Sequence, residues 1–166
     1  IRYPNFTDKT GDIKLDKLKE DDLDLLWEGG CRGFFVGVES ASQQTLDRIR
    51  KGVDIYRELA LVRAATARGF QVVTSFIVGF PGETEAQFEE LLTFVEESRF
   101  DNATCFIYSP EEGTEAHDLD GQVPDEVKEE RYRRLTEVQD RVSADINHAL
   151  VGTRQVALVD EANEDG

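Results

Sequence analysis

The sequence predicts an α/β fold: parallel βα units forming half of an eight-stranded barrel or half of an open doubly wound sheet, followed by a long C-terminal helix. Three observations carry this. Short apolar runs rich in aromatic and β-branched residues recur at 33–38, 71–78 and 103–108, the pattern of strands buried on both faces of a parallel sheet. Segments of helical periodicity separate them. Glycine and proline punctuate the strand ends, as in Gly79-Phe80-Pro81-Gly82.

Before the first strand, Pro4, Asn5, Asp8 and Gly11 mark a loop, with at most a short strand at 1–3. Leu15, Leu18, Leu25 and Leu26 then fall near a helical period, predicting a helix over 15–26 that Gly29-Gly30 ends. The first strand runs into Glu39-Ser40-Ala41-Ser42. Two helical pieces follow, 43–51 and 54–67, split by Gly52, with Ile55, Leu59 and Val62 on one face of the second. After the second strand and its turn, Phe88, Leu91, Leu92 and Val95 give an i, i+3, i+4, i+7 stripe and a helix over 85–98. The third strand leads to a loop over 109–122, where Pro110, Gly113 and Gly121 preclude regular structure. Pro124 suits the first turn of a helix reaching Leu150, with Val127, Leu135, Val138, Val142 and Ile146 inward and the pairs Glu129 with Arg133 and Glu130 with Arg134 outward. A last strand is predicted at 154–160, ahead of an acidic, frayed end.

The chain has 166 residues, 39% of them hydrophobic, enough for one core. Acidic side chains number 35 against 19 basic ones, a net charge of -16 that repels phosphate backbones and argues against direct nucleic-acid binding. No run approaches the ~20 apolar residues of a membrane span, and residues 1–4 resemble no targeting peptide, so a cytoplasmic protein is expected. The two cysteines, Cys31 and Cys105, have neither disulfide-framework nor metal-ligand spacing and read as small buried hydrophobes. The chain starts at Ile1 and contains no methionine, so it reads as a piece of something longer.

In either α/β architecture, chemistry collects beyond the carboxyl ends of the strands, which brings Glu39-Ser40, residues 79–84 and residues 108–114 to one mouth. Backbone exposed at the Gly-Phe-Pro-Gly turn could bond the edge of a flat heterocycle; a plain strand-to-helix connection, capped by Thr84 with Glu83 or Glu85 in the first turn, needs no ligand and is the reading that physics alone favours. Glu39 could accept hydrogen bonds from a ribose diol or be a solvated acid. Glu39 and Glu83 could also be the paired carboxylates of a barrel glycosidase, which sit ~5 to 10 Å apart. His117 and His148 stand alone, without ligand spacing, and read as surface residues. Trp27 and the phenylalanines read as core.

As an ordered set, Gly37-Val38-Glu39-Ser40-Ala41-Ser42, Leu46-Asp47-Arg48-Ile49-Arg50-Lys51-Gly52 and the run from Phe76 through Gly79-Phe80-Pro81-Gly82-Glu83-Thr84 resemble the middle of the radical S-adenosylmethionine (SAM) barrel. From Phe76 onward the chain resembles the methylthiotransferases of the RimO and MiaB families, with Tyr108-Ser109-Pro110-Glu111-Glu112-Gly113-Thr114 nearer to RimO. That family modifies an aspartate of a small-subunit ribosomal protein; MiaB modifies transfer RNA. Val38-Glu39-Ser40-Ala41-Ser42 instead resembles the cobalamin-dependent radical SAM groups. The resemblance implies a partial (βα) barrel over 1–122, a long helix or linker over 123–152, and the start of a TRAM-like domain or a frayed tail over 153–166.

The resemblance further implies SAM and a 4Fe-4S cluster as cofactors of the intact parent, with a ribosomal protein or a transfer RNA as substrate and dimerisation possible through exposed barrel edges. Glu39 with Ser40 would approach the SAM ribose and Ser75 the ribose or methionine end. Ile77, Val78 and Gly79 would face the adenine, and Tyr108 and Ser109 would add backbone contacts. No catalytic residue follows from the pattern. The cluster's CxxxCxxC loop does not occur in the sequence, and neither Cys31 nor Cys105 can replace it, because ligation needs several thiolates on one loop. The expectation is therefore a methylthiotransferase-like enzyme fragment, inactive alone; a cluster-free scaffold or binding module is the alternative.

Overall fold

The structure is a computed structural model that describes residues 17–154. The strands expected at 1–3 and, but for Arg154, at 154–160 lie outside the described residues, as do the first two residues of the helix expected at 15–26.

Eight elements follow in chain order: α1 (Glu20–Glu28), β1 (Gly33–Glu39), α2 (Gln43–Arg48), α3 (Ile55–Ala67), β2 (Gln71–Val78), α4 (Glu85–Ser98), β3 (Asn102–Ile107) and α5 (Asp125–Leu150). The strands form one sheet in the order β1-β2-β3, and both pairings are parallel. The alternation of helices and strands, with chain-order neighbours pairing, is the architecture the sequence predicts. The helix expected at 43–51 stops at Arg48, where the cap residue Ile49 leaves helical geometry.

One face of the sheet carries the core. Val36 and Val38 of β1 and Val72, Phe76 and Val78 of β2 join Leu61, Val62, Phe88, Leu91 and Leu135 from the helices in a single apolar cluster. Phe76, Phe94 and Phe100 meet edge-on, with centroids 5.5 to 6.1 Å apart, a geometry that adds ~0.5–1.5 kcal/mol per pair beyond burial. Alternation sends Phe35, Gly37, Ser75, Ile77, Thr104 and Phe106 to the opposite face. There Phe35 and Phe106 are exposed among the described residues.

Two helices differ from their predicted faces. In α1, Leu23 and Leu26 are buried with the preceding Leu18, but Leu25 is 66% exposed, because it lies on the turn facing away from α3. In α5, Val127 is exposed while Lys128 and Arg131 are buried with Leu135 and Val142. The helix begins over a polar turn, so its first inward residues are cations that meet carboxylate and aromatic partners. The expected outward pairs also change: Arg133 binds Glu130 and Glu137, and Arg134 reaches across to Glu85 and Glu89 of α4. Among the described residues, no helix is long and apolar enough to cross a membrane.

Candidate SAM-facing site

Glu39 ends β1 in an unusual backbone state. Its φ is 67°, where a residue with a side chain is strained by ~1–3 kcal/mol. The strand pairing slips between Gly37 and Glu39, and Ser40 N–H donates to Val38 C=O at 2.9 Å, closing a tight three-residue turn around Glu39. The turn folds the carboxylate back over Gly37. A Cβ at Gly37 would lie 2.6 Å from Glu39 Oε1 and 3.4 Å from Lys51 Nζ, so only glycine leaves room for this arrangement. Gly37 shares the uncovered face with Phe35, which places the Glu39 carboxylate and Lys51 ammonium there too.

Gly37 pairs with Ser75, and Ser75 with Thr104. Gly37, Ser75 and Thr104 therefore follow one row across the uncovered face, and the Glu39 carboxylate, from the carboxyl end of β1, folds back onto that row over Gly37. Ser75 is buried and Ile77 half-buried. Ser40 is buried, its hydroxyl accepting from Ser42 N–H at 3.1 Å, so its side chain serves the turn that starts α2.

The other predicted residues sit along the rim. Gly79 has φ 77°, and a Cβ there would collide with the stem of Lys128. Its N–H donates to Glu83 Oε2 at 2.7 Å, and Tyr108 N–H donates to Val78 C=O at 2.9 Å. The donors of Gly79 and Tyr108 and the Val78 carbonyl are thus used within the protein, while the Gly79 carbonyl has no partner among the described residues. The Tyr108 ring packs edge-on to Phe80 at 5.1 Å with the Lys128 ammonium 5.7 Å from its centroid, and its hydroxyl is buried without a partner. Ser109 is exposed.

Glu83 takes neither role the sequence offered. It is buried, and Arg131 donates to its Oε2 at 2.8 Å while also bonding Glu85. Burial pushes its carboxyl above the ordinary value, with the Gly79 N–H and then Arg131 pulling it part of the way back. A carboxylate committed to the Gly79 turn and to α5 is not free to serve a sugar, which removes the paired-carboxylate glycosidase reading. Thr84 caps α4, accepting from Gln87 N–H while Gln87 accepts from Thr84 N–H, a full capping box. Arg134 above all, then Arg131, holds the Glu85 carboxyl below its ordinary value.

Sequence reasoning missed Lys51, Thr104 and Arg131. For Thr104 the period-2 pattern gave a usable signal; Lys51 and Arg131 meet partners 12 and 48 residues away, which no local pattern encodes. A groove of about 620 Å³ runs between α3 and α4, lined by Tyr56, Leu59, Glu90 and Phe94 among others. It lies on the helical side of the sheet, where Ala41, Ser42 and Gln43, just after β1, line it as well.

Neither cysteine is placed to ligate a cluster. Cys31 precedes β1, at the end of the sheet opposite the mouth, and Cys105 lies within β3. Both are half-buried against the core. No group of three potential metal ligands occurs among the described residues. The solitary histidines are exposed, as expected.

Parallel strands wrapped by helices on one face, with a strained carboxylate at the mouth of the other, define part of a (βα) barrel enzyme wall. The family profile of the radical SAM superfamily matches residues 4–95, and the chain belongs to that superfamily, whose cofactors are SAM and a 4Fe-4S cluster. Its relatives include the ribosomal protein uS12 methylthiotransferase RimO of Ralstonia nicotianae, 46% identical over 125 residues that make up 75% of this chain and 25% of the relative. The RimO of Salmonella heidelberg is 38% identical over 150 residues, 89% of this chain and 34% of the relative. The chain thus spans about a quarter to a third of the length of these relatives. Among solved structures, the radical SAM enzyme coproporphyrinogen III oxidase HemN of Escherichia coli superposes with a TM-score of 0.64 at 20% identity, over 79% of this chain and 31% of that one. Methylornithine synthase PylB gives 0.55 at 17% identity, over 74% and 36%. These two likenesses establish the fold.

Proposed function

We propose that this chain is the SAM-facing wall of a methylthiotransferase of the RimO type, with the cluster-binding cysteines supplied from outside these 166 residues. The observation that carries the reading is the strained turn at Glu39, which aims a carboxylate into the barrel mouth above Gly37 and Ser75. A non-glycine residue held at positive φ is a costly arrangement that points to a role at that position.

The residues present fit SAM. Glu39 Oε2 has no partner among the described residues and can accept from the ribose hydroxyls. Ser75, paired with Gly37 beneath that carboxylate, offers a hydroxyl to the ribose or methionine end. Ile77 and Val78 shape the adenine side, where the Gly79 carbonyl can accept from the exocyclic amine. Ser40 supports Glu39 through its turn, while Tyr108 and Ser109 border the rim. When bound, SAM would be the source of the hydrogen-abstracting group once one-electron reduction at the parent's cluster had cleaved it; the wall would orient it and keep water from its buried side. The residues do not fit the cluster: the two cysteines are isolated from each other, and no group of three potential ligands occurs among the described residues.

A protein substrate suits this surface better than RNA. The net charge of -16 disfavours a polyanion and favours a cationic protein, consistent with the uS12 substrate named for the relatives. Titrating SAM into the full-length parent and its Glu39→Ala variant tests the site. Loss of charge-assisted hydrogen bonds to the diol weakens affinity by roughly 10- to 100-fold; equal affinity removes Glu39 from the site.

A further inference from the structure

Lys51 reaches the same mouth from the far end of α2. The helix stops at Arg48, and the N–H groups of Ile49 and Lys51 close on the carbonyls of Thr45 and Leu46. Arg50 at φ 55° and Gly52 at φ 69° then reverse the chain, turning the Lys51 side chain toward the end of β1. Its ammonium donates to Gly37 C=O and to Glu39 Oε1, the latter at 3.2 Å. The two side chains are 23% and 24% exposed, so the pair is largely withdrawn from water without being sealed.

This geometry treats the two carboxylate oxygens differently. Oε1 is pinned between the Lys51 ammonium and the space a Gly37 Cβ would fill. Oε2 is left open toward the mouth. A glutamate on a mobile side chain would lose rotamer freedom on meeting a ligand, whereas one already fixed loses little.

We infer that Lys51 is a positioning residue that locks the Glu39 carboxylate in its ligand-accepting orientation, an inference that rests on the SAM-facing reading above. Lys51 acts through Glu39 and the Gly37 carbonyl. The ligand class it selects is one presenting two adjacent hydroxyl donors to a single fixed carboxylate oxygen.

A double-mutant cycle in the full-length, reconstituted parent tests this, with SAM binding read by titration calorimetry. Lys51→Met weakens SAM about fivefold, the scale of a partly exposed ion pair, and Glu39→Ala weakens it more. In the double variant the Lys51→Met loss disappears, because its effect runs through Glu39. A Lys51→Met loss that persists undiminished in the Glu39→Ala background, or wild-type affinity in Lys51→Met, overturns the positioning role while the Glu39 site stands. Wild-type affinity in Glu39→Ala overturns the site and the positioning role together. Lys51→Gln keeps the stem and one donor, so the cycle remains measurable should Lys51→Met fail to fold.

Discussion

Glu39 closes β1 and Glu83 lies in the turn after neighbouring β2, yet the protein uses the two acids in opposite ways. Glu83 is buried and bonded on two sides, to the Gly79 N–H and to Arg131 of α5, so it fastens the turn after β2 to the long helix. Glu39 is partly open, strained in its backbone and bonded through one oxygen to Lys51. The difference shows that position at a strand end does not by itself assign a carboxylate to chemistry. Partnering and burial do: Glu83 is sealed from water, its Oε2 shared by the Gly79 N–H and the Arg131 guanidinium, and holds structure, whereas the partly open Glu39 carboxylate can meet a ligand.

The contrast breaks most visibly at Arg131. Arg131→Met leaves the Glu83 carboxylate buried without its cation and lowers stability by ~3–5 kcal/mol, measured by urea unfolding at neutral pH. The loss shrinks in acid. A carboxyl whose folded-state value lies above its unfolded one contributes stability below the unfolded value and loses it as pH rises through the folded one. Burial raises Glu83 in this way and removing Arg131 raises it further, so the Arg131→Met deficit opens as pH rises above the already raised folded-state value of the wild type; a deficit independent of pH would place the cost elsewhere.

Next in size is Gly79→Ala, which forces a Cβ into the Lys128 stem at φ 77° and costs ~1–3 kcal/mol. Lys128→Ala in the same chain relieves the collision but not the backbone strain, so thermal unfolding recovers only part of the loss. Thr84→Ala removes the α4 cap and costs ~1 kcal/mol. Smallest of all, Glu39→Ala changes stability by less than ~1 kcal/mol while reducing SAM affinity by the larger factor given above. A Glu39 variant as destabilised as the Arg131 one would erase the distinction between the two acids.

Much of the fold was legible because its signals are local. The stripe of Phe88, Leu91, Leu92 and Val95 and the cap at Thr84 predict α4 over the residues it occupies, 85–98, and β2 falls at 71–78 as read. Hydropathy failed at the start of α5. It assigned Val127 inward and gave no reason to bury Lys128 or Arg131, whose shelter comes from Tyr108, Phe88, Glu83 and Glu85. The site divided in the same manner. Glu39 and Ser75 could be read from their places on strands, but the left-handed turn that bends Glu39 over Gly37 carries no glycine to announce it, and the lysine that meets it comes from 12 residues on.

The burial of Cys105 sets the thiol chemistry of the chain. Burial first, and then the negative charge of nearby Glu83, push this thiol up to about 12, so at neutral pH only roughly one molecule in 100,000 carries the thiolate. Alkylating reagents, oxidants and free iron therefore find almost no nucleophile at β3. Any covalent label or adventitious metal taken up by the native chain through sulfur reports on Cys31 alone.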